Sequence, residues 1–224
     1  VDKQNNLWIK SQRSFIKMFF PPSPYTYREL DNYFDTKSFL FDSDEHLWIA
    51  TKKGIIRIMD SQKNLLGYLS PDGELAQTET VFAEGGIYVM LKDQAQTIWL
   101  GSKENGLFRL VPRNRPYHYE VYHYMNNPSD PYSISDNKIS CIDEDHNGRI
   151  WIGTYGGGLN LVEEKEDGAI RFIHAENNLS GFPINRTNSI RCMVEGPGHT
   201  MLVGTIEGLI TFSSDFSDYE NIRF

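Results

Sequence analysis

Long apolar runs and basic charge are both scarce in this sequence, and each shortage excludes a class of protein. No apolar run approaches the roughly 20 residues that a membrane-spanning helix requires, and no basic segment followed by an apolar one opens the chain as a signal peptide would. The formal net charge is -8 and the pI is about 5.3. Because nucleic-acid-binding proteins usually present a basic face, we expect no nucleic-acid partner.

Cysteine is also scarce, since the chain has only Cys141 and Cys192. They precede Trp151 and Leu202 by the same number of residues, and these two residues are equivalent in the repeat described next. Equivalent positions on neighbouring units could bring the two thiols close together. Free cysteines are more commonly simply buried, so we expect two buried thiols, and the redox compartment stays open.

Tryptophan shows how the chain is organised, because all of the tryptophans fall in one recurring motif. In this motif an aliphatic residue stands on each side of Trp8, Trp48, Trp99 and Trp151, and Leu202 takes the central place in a fifth copy. The copies are 40 to 52 residues apart, and a recurrence of this length is typical of repeat proteins. We predict one repeat region over residues 1–224 with a C-terminal tail at 213–224.

The pattern within each copy predicts short strands separated by turns. The strand that contains the Trp is apolar on consecutive residues, which indicates that both faces of its sheet are covered. Four short antiparallel strands in each repeat describe a propeller blade. We predict an all-β fold, a β-propeller-like array of about four to five four-stranded antiparallel blades. The first copy is cut short and no outer strand is evident after Phe212, so we expect a partial or open propeller.

Glycines recur at two further positions of the repeat. One set stands where the second strand turns into the third and is expected to need positive φ; it comprises Gly54, Gly106, Gly158 and Gly208. The other set follows the central residue by two positions and is expected where sheets pack closely; it comprises Gly101, Gly153 and Gly204. The Trp side chains are predicted to pack as wedges between blades.

The fourth copy, best preserved from Asp143 to Leu161, has aspartates in its turn followed from Gly148 by the pattern Gly-x-Ile/Leu-Trp-Ile-Gly-Thr-x-x-Gly-Gly-Leu. This pattern resembles the two-component regulator propeller repeat, and the resemblance extends over nearly the whole chain. It implies the periplasmic sensor region of a hybrid two-component histidine kinase from a glycan-degrading bacterium. The kinase activity would belong to a separate domain, and membrane attachment would come only from downstream segments. We therefore expect this sequence to be a fragment.

Histidines do not suggest a metal site. His46, His146 and His199 stand in the turns before the central strand, where we interpret them as part of the repeat. Only His118 and His123 are near each other in the sequence, and their spacing places them on opposite faces of a strand. We predict no metal ligands and no cofactor.

Aspartates at the same turns could suggest a glycosidase. Asp42, Asp93 and Asp143 occupy what we take to be one turn position of each copy, where capping of backbone amides explains them. A hydrolase needs an acid and a nucleophile or base at a fixed separation, and no such pair stands out. We predict no catalytic residue and no enzymatic activity for this region; a propeller glycoside hydrolase or lyase is the less favoured alternative.

Ligand binding is better supported, because the turns between second and third strands collect on the rim opposite the aspartates. They and the long connections supply cations, amides and an aromatic ring, which would suit a sugar or an acidic oligosaccharide. The candidate ligand-binding residues are Arg13, Lys53, Lys103, Tyr155, Asn185 and Arg186. The alternative for each residue is an ordinary solvated turn side chain.

The function predicted from these observations is an extracytoplasmic sensor module that binds a glycan or oligosaccharide. We expect a homodimer that passes the bound state to a distant kinase. The alternative is a structural or dimerisation array of blades with no ligand site of its own. The sequence distinguishes a ligand sensor and a structural array from an enzyme more clearly than it distinguishes the sensor from the structural array.

Overall fold

The computed structural model describes residues 7–10, 15–18 and 35–224. The chain divides into two compact units, residues 1–33 and 34–224. In the first unit, β1 (Leu7–Lys10) pairs antiparallel with β2 (Phe15–Met18). This pair agrees with the short antiparallel strands predicted for each copy, while Arg13 lies outside the described residues. The assignment of all 224 residues to one region stays a prediction.

The second unit contains four antiparallel sheets, and in each of them every strand pairs with the next one along the chain. The first sheet comprises β3 (Thr36–Phe41), β4 (Leu47–Thr51), β5 (Ile56–Met59), β6 (Leu65–Leu69) and β7 (Leu75–Ala76). The second comprises β8 (Ile87–Lys92), β9 (Ile98–Ser102), β10 (Leu107–Pro112) and β11 (Tyr119–Tyr124). Apart from short helical segments, the described fold is all-β, as predicted.

The third and fourth sheets follow the same plan. The third comprises β12 (Ile139–Glu144), β13 (Ile150–Thr154), β14 (Leu159–Glu164) and β15 (Ile170–His174). The fourth comprises β16 (Ile190–Gly196), β17 (Thr200–Thr205) and β18 (Leu209–Ser213), and it has no fourth strand. The absence of an outer strand after Phe212 is confirmed. A short 3₁₀ helix (Tyr219–Asn221) lies in the tail.

Two details differ from the expectation of four strands and plain connections. The first sheet gains β7 because the turn at Pro71–Gly73 reverses the chain, with Gly73 at φ 83°, and brings Leu75 back opposite Leu69. The connection before the fourth sheet contains the short helix α1 (Ile184–Thr187). Among the residues that the structure describes, no helix has the length and apolarity to span a membrane.

Successive sheets of the second unit pack face to face, with their first strands side by side. β3 contacts β8, β8 contacts β12, and β12 contacts β16. Trp48 lies in one apolar cluster with Ile98 and Leu100 of the following sheet. Trp99 and Trp151 likewise lie in clusters with the sheet that follows each of them. The prediction that the tryptophans are wedges between blades is confirmed for these three.

Each of these tryptophans is also held by an aspartate of the preceding turn. Each indole Nε1 donates to one carboxylate oxygen. The pairs are Trp48 with Asp42 Oδ2 (3.0 Å), Trp99 with Asp93 Oδ2 (2.8 Å) and Trp151 with Asp145 Oδ2 (2.9 Å). The other carboxylate oxygen accepts the backbone N–H four residues further on. The predicted capping role is confirmed, and the burial of each indole N–H is matched by an acceptor.

The choice of Asp143 as the turn aspartate of the fourth copy is wrong. The turn position belongs to Asp145, which is fully buried and stands as far before its Trp as Asp42 and Asp93 do. Asp143 instead lies on β12 opposite Trp151. Its carboxylate accepts the backbone N–H of Glu195 at 3.1 Å, and burial raises its pKa.

The glycines after the central position are required by close packing between sheets. A Cβ on Gly153 would lie 2.5 Å from Cys141 Sγ and 2.6 Å from Ile190 Cγ2 of the fourth sheet. A Cβ on Gly101 would meet Ile139 of the third sheet in the same way, at 2.5 Å. The predicted close approach is therefore confirmed where another sheet follows. The turn glycines Gly54, Gly106, Gly158 and Gly208 all have positive φ, as expected.

The outward face of the fourth sheet is exposed. Leu209 is 65% exposed and Val194 is 54% exposed, although both are apolar. Cys192 shares this face and is exposed, so the prediction of two buried thiols is wrong for it. Cys141, at the equivalent position, is buried. The difference arises because the fourth sheet packs against Cys141, whereas the sheet that carries Cys192 leaves this face open.

Candidate ligand-binding site

A cavity of about 610 Å³ lies beside the first strands of the second, third and fourth sheets. It opens on the rim that carries the turns between second and third strands. Its lining residues are Tyr88, Lys103, Glu104, Lys138, Ile139, Ser140, Tyr155 and Arg191. A volume of this size is in the range of small-molecule sites.

Tyr155 provides an aromatic surface in this cavity and is fixed by its backbone. Its N–H donates to Lys138 O at 2.9 Å, and its carbonyl accepts the hydroxyl of Ser189. The guanidinium of Arg191 lies 4.4 Å from the ring centroid, and Nη2 donates to the phenol oxygen at 2.8 Å. Tyr155 is 44% exposed, so its orientation is set while part of the residue stays accessible.

Three of the lining residues come from one recurring irregularity. The pairing of each first strand with the second shifts register near its start, around Lys37, Tyr88, Ser140 and Arg191. A β-bulge inserts an unpaired residue and re-aims its side chain. The bulge residues of neighbouring strands interact, since Lys37 Nζ lies 5.5 Å from the centroid of the Tyr88 ring. The repeat thus directs one variable side chain per blade toward this part of the protein.

The cavity has an excess of positive charge in a protein whose net charge is -8. Lys103, Lys138 and Arg191 line it together with a single carboxylate, Glu104. Glu104 faces Lys103 at 3.8 Å, and both side chains are more than half exposed. Within the described part of the chain, Lys138 and Arg191 have no carboxylate partner within 4.0 Å. The two cations are therefore available to an anionic ligand.

One segment of the repeat matches a known protein family. Residues 133–156, which contain the fourth Trp motif, match the family described as two component regulator propeller. The chain carries a two-component regulator propeller repeat. This assignment confirms the resemblance, and the described sheets give the corresponding β-propeller fold.

Comparison with individual proteins agrees with this assignment. Histidine kinase P4 of Formosa agariphila is 29% identical over 139 residues, which cover 57% of this chain and 9% of that protein. The extracellular domain assigned to a hybrid two-component system of B. thetaiotaomicron superposes with a TM-score of 0.61 at 24% identity, covering 97% of this chain and 27% of that one. The chain therefore spans a small part of each of these two proteins.

A structural likeness also exists outside signalling proteins. The β-propeller domain of Cps50 (Swd1) from Myceliophteria thermophila superposes with a TM-score of 0.51 at 13% identity, covering 92% of this chain and 62% of that one. At these levels of identity the structural comparisons show the fold alone. The match to the two-component regulator propeller thus rests on residues 133–156.

The structure brings together two of the six residues predicted to bind ligand. Lys103 and Tyr155 both line the cavity. Lys53 is exposed on the turn between β4 and β5 and does not line it. Asn185 and Arg186 are exposed on α1, also away from it. Arg13 lies outside the described residues, so its role stays a prediction.

Sequence reasoning missed Tyr88, Lys138 and Arg191. The predicted binding residues lie on turns and long connections, whereas Tyr88 and Arg191 lie within strands. Alignment of the copies would have shown that both follow an isoleucine at the start of the first strand. A residue type that varies at one position of an otherwise constant repeat is the signal that could have identified them.

A second cavity, of about 420 Å³, lies on the opposite rim near Asp42, Arg115 and Tyr117. Its polar groups already bind one another. His118 Nδ1 contacts the carboxylate of Glu74, Arg115 Nη2 donates to the same carboxylate at 2.8 Å, and the Tyr117 hydroxyl contacts His46 Nδ1. Desolvation raises the pKa of Tyr117 further above neutrality. This cavity is therefore the weaker candidate.

Two histidines that are far apart in the sequence lie in contact on this rim. The rings of His146 and His199, from the turns of the third and fourth sheets, stack with their centroids 3.6 Å apart. His118 and His123 separate as expected, one beside Glu74 and the other stacked on Phe108 at 4.2 Å. The hydrogen bond with Glu195, assisted by Asp215, raises the pKa of His146. Packing of successive sheets, which sequence spacing does not reveal, joins the two turns.

Proposed function

We propose that this chain is an extracytoplasmic, ligand-sensing propeller module of a two-component sensor kinase, and that its ligand is an oligosaccharide bearing acidic groups. The region would lie in the periplasm, and the kinase activity would belong to a separate domain. The observation that carries the proposal is the cavity that Lys103, Lys138 and Arg191 line together with the partly exposed Tyr155.

The chemistry of the cavity fits such a ligand in two ways. A partly exposed aromatic ring offers an apolar surface on which the C–H face of a sugar can stack, while its hydroxyl end stays polar. Arginine binds carboxylate or sulfate oxygens through two parallel N–H donors, and lysine acts as a point charge. A neutral sugar would use the ring but leave the cations without partners.

Catalysis is not supported by the same cavity. A glycosidase requires two carboxyl groups at a defined separation, and among the lining residues that the structure describes Glu104 is the only carboxylate. Glu104 is paired with Lys103 at 3.8 Å, and its side chain is more than half exposed. This argument supports a binding role for the region.

The test is calorimetry of the chain with acidic and neutral oligosaccharides of matched length. We expect binding of an acidic oligosaccharide, at least about tenfold weaker after Arg191→Gln because a charge-assisted hydrogen bond is lost. Tyr155→Ala should weaken acidic and neutral sugars alike. Lys53→Gln is the matched control, since Lys53 is an exposed lysine outside the cavity. Equal loss in Lys53→Gln and Arg191→Gln, or no binding to any sugar, would contradict the proposal.

A second candidate function, association with another copy of the chain, is supported by the exposed face of the fourth sheet. Val194 and Leu209 on this face occupy repeat positions that the following sheet covers elsewhere. Apolar surface of this kind commonly marks an interaction site. Light scattering over a range of concentrations should show a dimer that Leu209→Glu disrupts. A monomer at all concentrations would contradict this candidate without affecting the sugar site.

A further inference from the structure

The turns on the rim opposite the cavity bring together two histidines and an aspartate from three separate segments. His146 lies in the turn between β12 and β13, His199 in the turn between β16 and β17, and Asp215 just after β18. One potential ligand atom from each residue lies within 4.8 Å of the others. His146 Nε2 is 2.9 Å from Asp215 Oδ1. No role in the proposed sugar site accounts for this convergence.

Glu195 fixes the orientation of His146. One of its carboxylate oxygens accepts the backbone N–H of His146 at 2.8 Å, and the other lies 2.6 Å from Nδ1. Glu195 also accepts the hydroxyl of Ser214. A proton on Nδ1 that is donated to Glu195 leaves the lone pair of Nε2 pointing to Asp215. A carboxylate that holds the distal N–H of a histidine is the usual outer-shell arrangement of histidine metal ligands.

Asp215 is held in place independently of the histidines' ring nitrogens. The neighbouring Ser214 donates its backbone N–H to His199 O at 2.8 Å. The guanidinium of Arg149 lies 3.7 Å from the ring centroid of Phe216 and is itself bound to the buried Asp145 at 2.8 Å. The segment after β18 is therefore fastened on both sides of Asp215, which keeps its carboxylate beside Nε2 of His146.

We propose that His146, His199 and Asp215 bind a divalent transition metal ion of the Zn²⁺ type, with Glu195 as a positioning residue. Two imidazoles and one carboxylate suit zinc, and water would complete the coordination. The His199 side chain is 51% exposed, so its ring can leave the stacked position and turn a nitrogen toward the ion. Bound metal would link the turns of the third and fourth sheets to the tail.

A second group, Asp42, Asp44 and His46, has similar spacing, but its atoms are committed to other partners. Asp42 accepts the indole N–H of Trp48 at 3.0 Å and two backbone N–H groups of its own turn. His46 Nδ1 contacts the hydroxyl of Tyr117. Binding of a metal here would break the contact that holds a buried tryptophan. This group therefore provides a comparison for the test.

The experiment titrates the full chain with zinc chloride by calorimetry and follows its melting temperature. Cys192→Ser is introduced throughout, because this exposed thiol could bind zinc by itself. His199→Asn and Asp215→Asn remove one ligand each, and asparagine tolerates the positive φ of 55° at position 199. Glu195→Gln tests the positioning role, His46→Asn tests the second group, and His123→Asn controls for an exposed histidine elsewhere.

We expect about one zinc ion per chain and a higher melting temperature with zinc, with little response to magnesium, which prefers all-oxygen sites. Binding should weaken at least tenfold in His199→Asn and Asp215→Asn, and by about 10- to 100-fold in Glu195→Gln. His46→Asn and His123→Asn should bind as the parent does. The proposal is overturned if zinc does not bind, or if His199→Asn and Asp215→Asn bind zinc as tightly as the parent while remaining folded.

Discussion

The third and fourth sheets carry the same repeat, yet equivalent residues have opposite environments. Leu159 of the third sheet is fully buried, whereas Leu209 at the same place in the fourth is 65% exposed. Trp151 is fully buried, and Leu202, which replaces it, is only partly buried. The repeat pattern therefore encodes a surface for a neighbouring sheet, and the burial of that surface depends on whether a neighbour is present.

The comparison also shows which parts of the repeat are independent of a neighbour. The second-to-third-strand glycines have positive φ in both sheets, since the turn itself requires it. The register of the paired strands is also the same, with Gly153 opposite Leu159 and Gly204 opposite Leu209. Local geometry thus follows from the sequence of each copy, while the stabilisation gained from packing does not.

The largest difference between the two sheets is expected at the central position. Trp151→Ala should lower the free energy of unfolding by about 3–5 kcal/mol, because a large cavity forms between sheets. It also leaves the buried Asp145 without its indole donor. Leu202→Ala should cost about 1 kcal/mol. Urea unfolding followed by circular dichroism measures both, and similar costs would refute the wedge role of the tryptophan.

The next largest difference is expected at the leucine of the third strand. Leu159→Ala removes a buried side chain and should cost about 2–5 kcal/mol. Leu209→Ala should change the unfolding free energy by no more than about 0.5 kcal/mol, as is usual for exposed positions. Urea unfolding of Leu159→Ala and Leu209→Ala at low protein concentration measures both changes in unfolding free energy. A cost above 2 kcal/mol for Leu209→Ala would mean that this face is covered in solution.

A smaller difference is expected for the glycines after the central position. Gly153→Ala places a methyl group against Ile190 of the next sheet and should cost about 1–3 kcal/mol through overpacking. A Cβ on Gly204 would lie under 3 Å from Cys192 Sγ alone, and that exposed side chain can turn away. We expect Gly204→Ala to cost less than about 1 kcal/mol. The melting temperatures of the two variants measure these stability costs. Equal shifts in melting temperature would contradict the packing explanation.

The last difference between the two sheets concerns their cysteines. We expect these to differ in reactivity rather than in their contribution to stability. Burial raises the pKa of Cys141 to about 12, so its reactive thiolate is scarce at neutral pH. Cys192 is exposed and should react with a disulfide reagent at least about 100-fold faster than Cys141. The change in absorbance during the reaction measures how many thiols react in the folded and in the unfolded protein. Simultaneous reaction of both thiols would show that the fourth sheet detaches readily from the third.

The fold could be predicted largely because its signals are local and repeated. The apolar Trp strands, the turn glycines and the spacing of the copies each indicate short antiparallel strands, and the structure confirms these from Thr36 to Ser213. The extra strand β7 was missed because it is only two residues long. The helix α1 was missed because a four-residue helix has no periodic pattern.

The candidate site was predicted less completely. Lys103 and Tyr155 were found because turns of one kind gather on one rim, which the repeat itself implies. Tyr88 and Arg191 were missed because their direction depends on bulges in the first strands. Lys53, Asn185 and Arg186 lie on the predicted turns and connections, yet none lines the cavity, because distance from it depends on how neighbouring sheets are placed.

The sequence by itself determined the repeat, the all-β class and the turn positions, because these depend on residues close together in the chain. Tertiary structure alone decided that Arg191 stacks on Tyr155, that His146 meets His199 and Asp215, and that Cys192 is exposed while Cys141 is not. These outcomes depend on contacts between separate sheets. Such contacts follow from packing and from which faces have a neighbour, and no local pattern of residues specifies them.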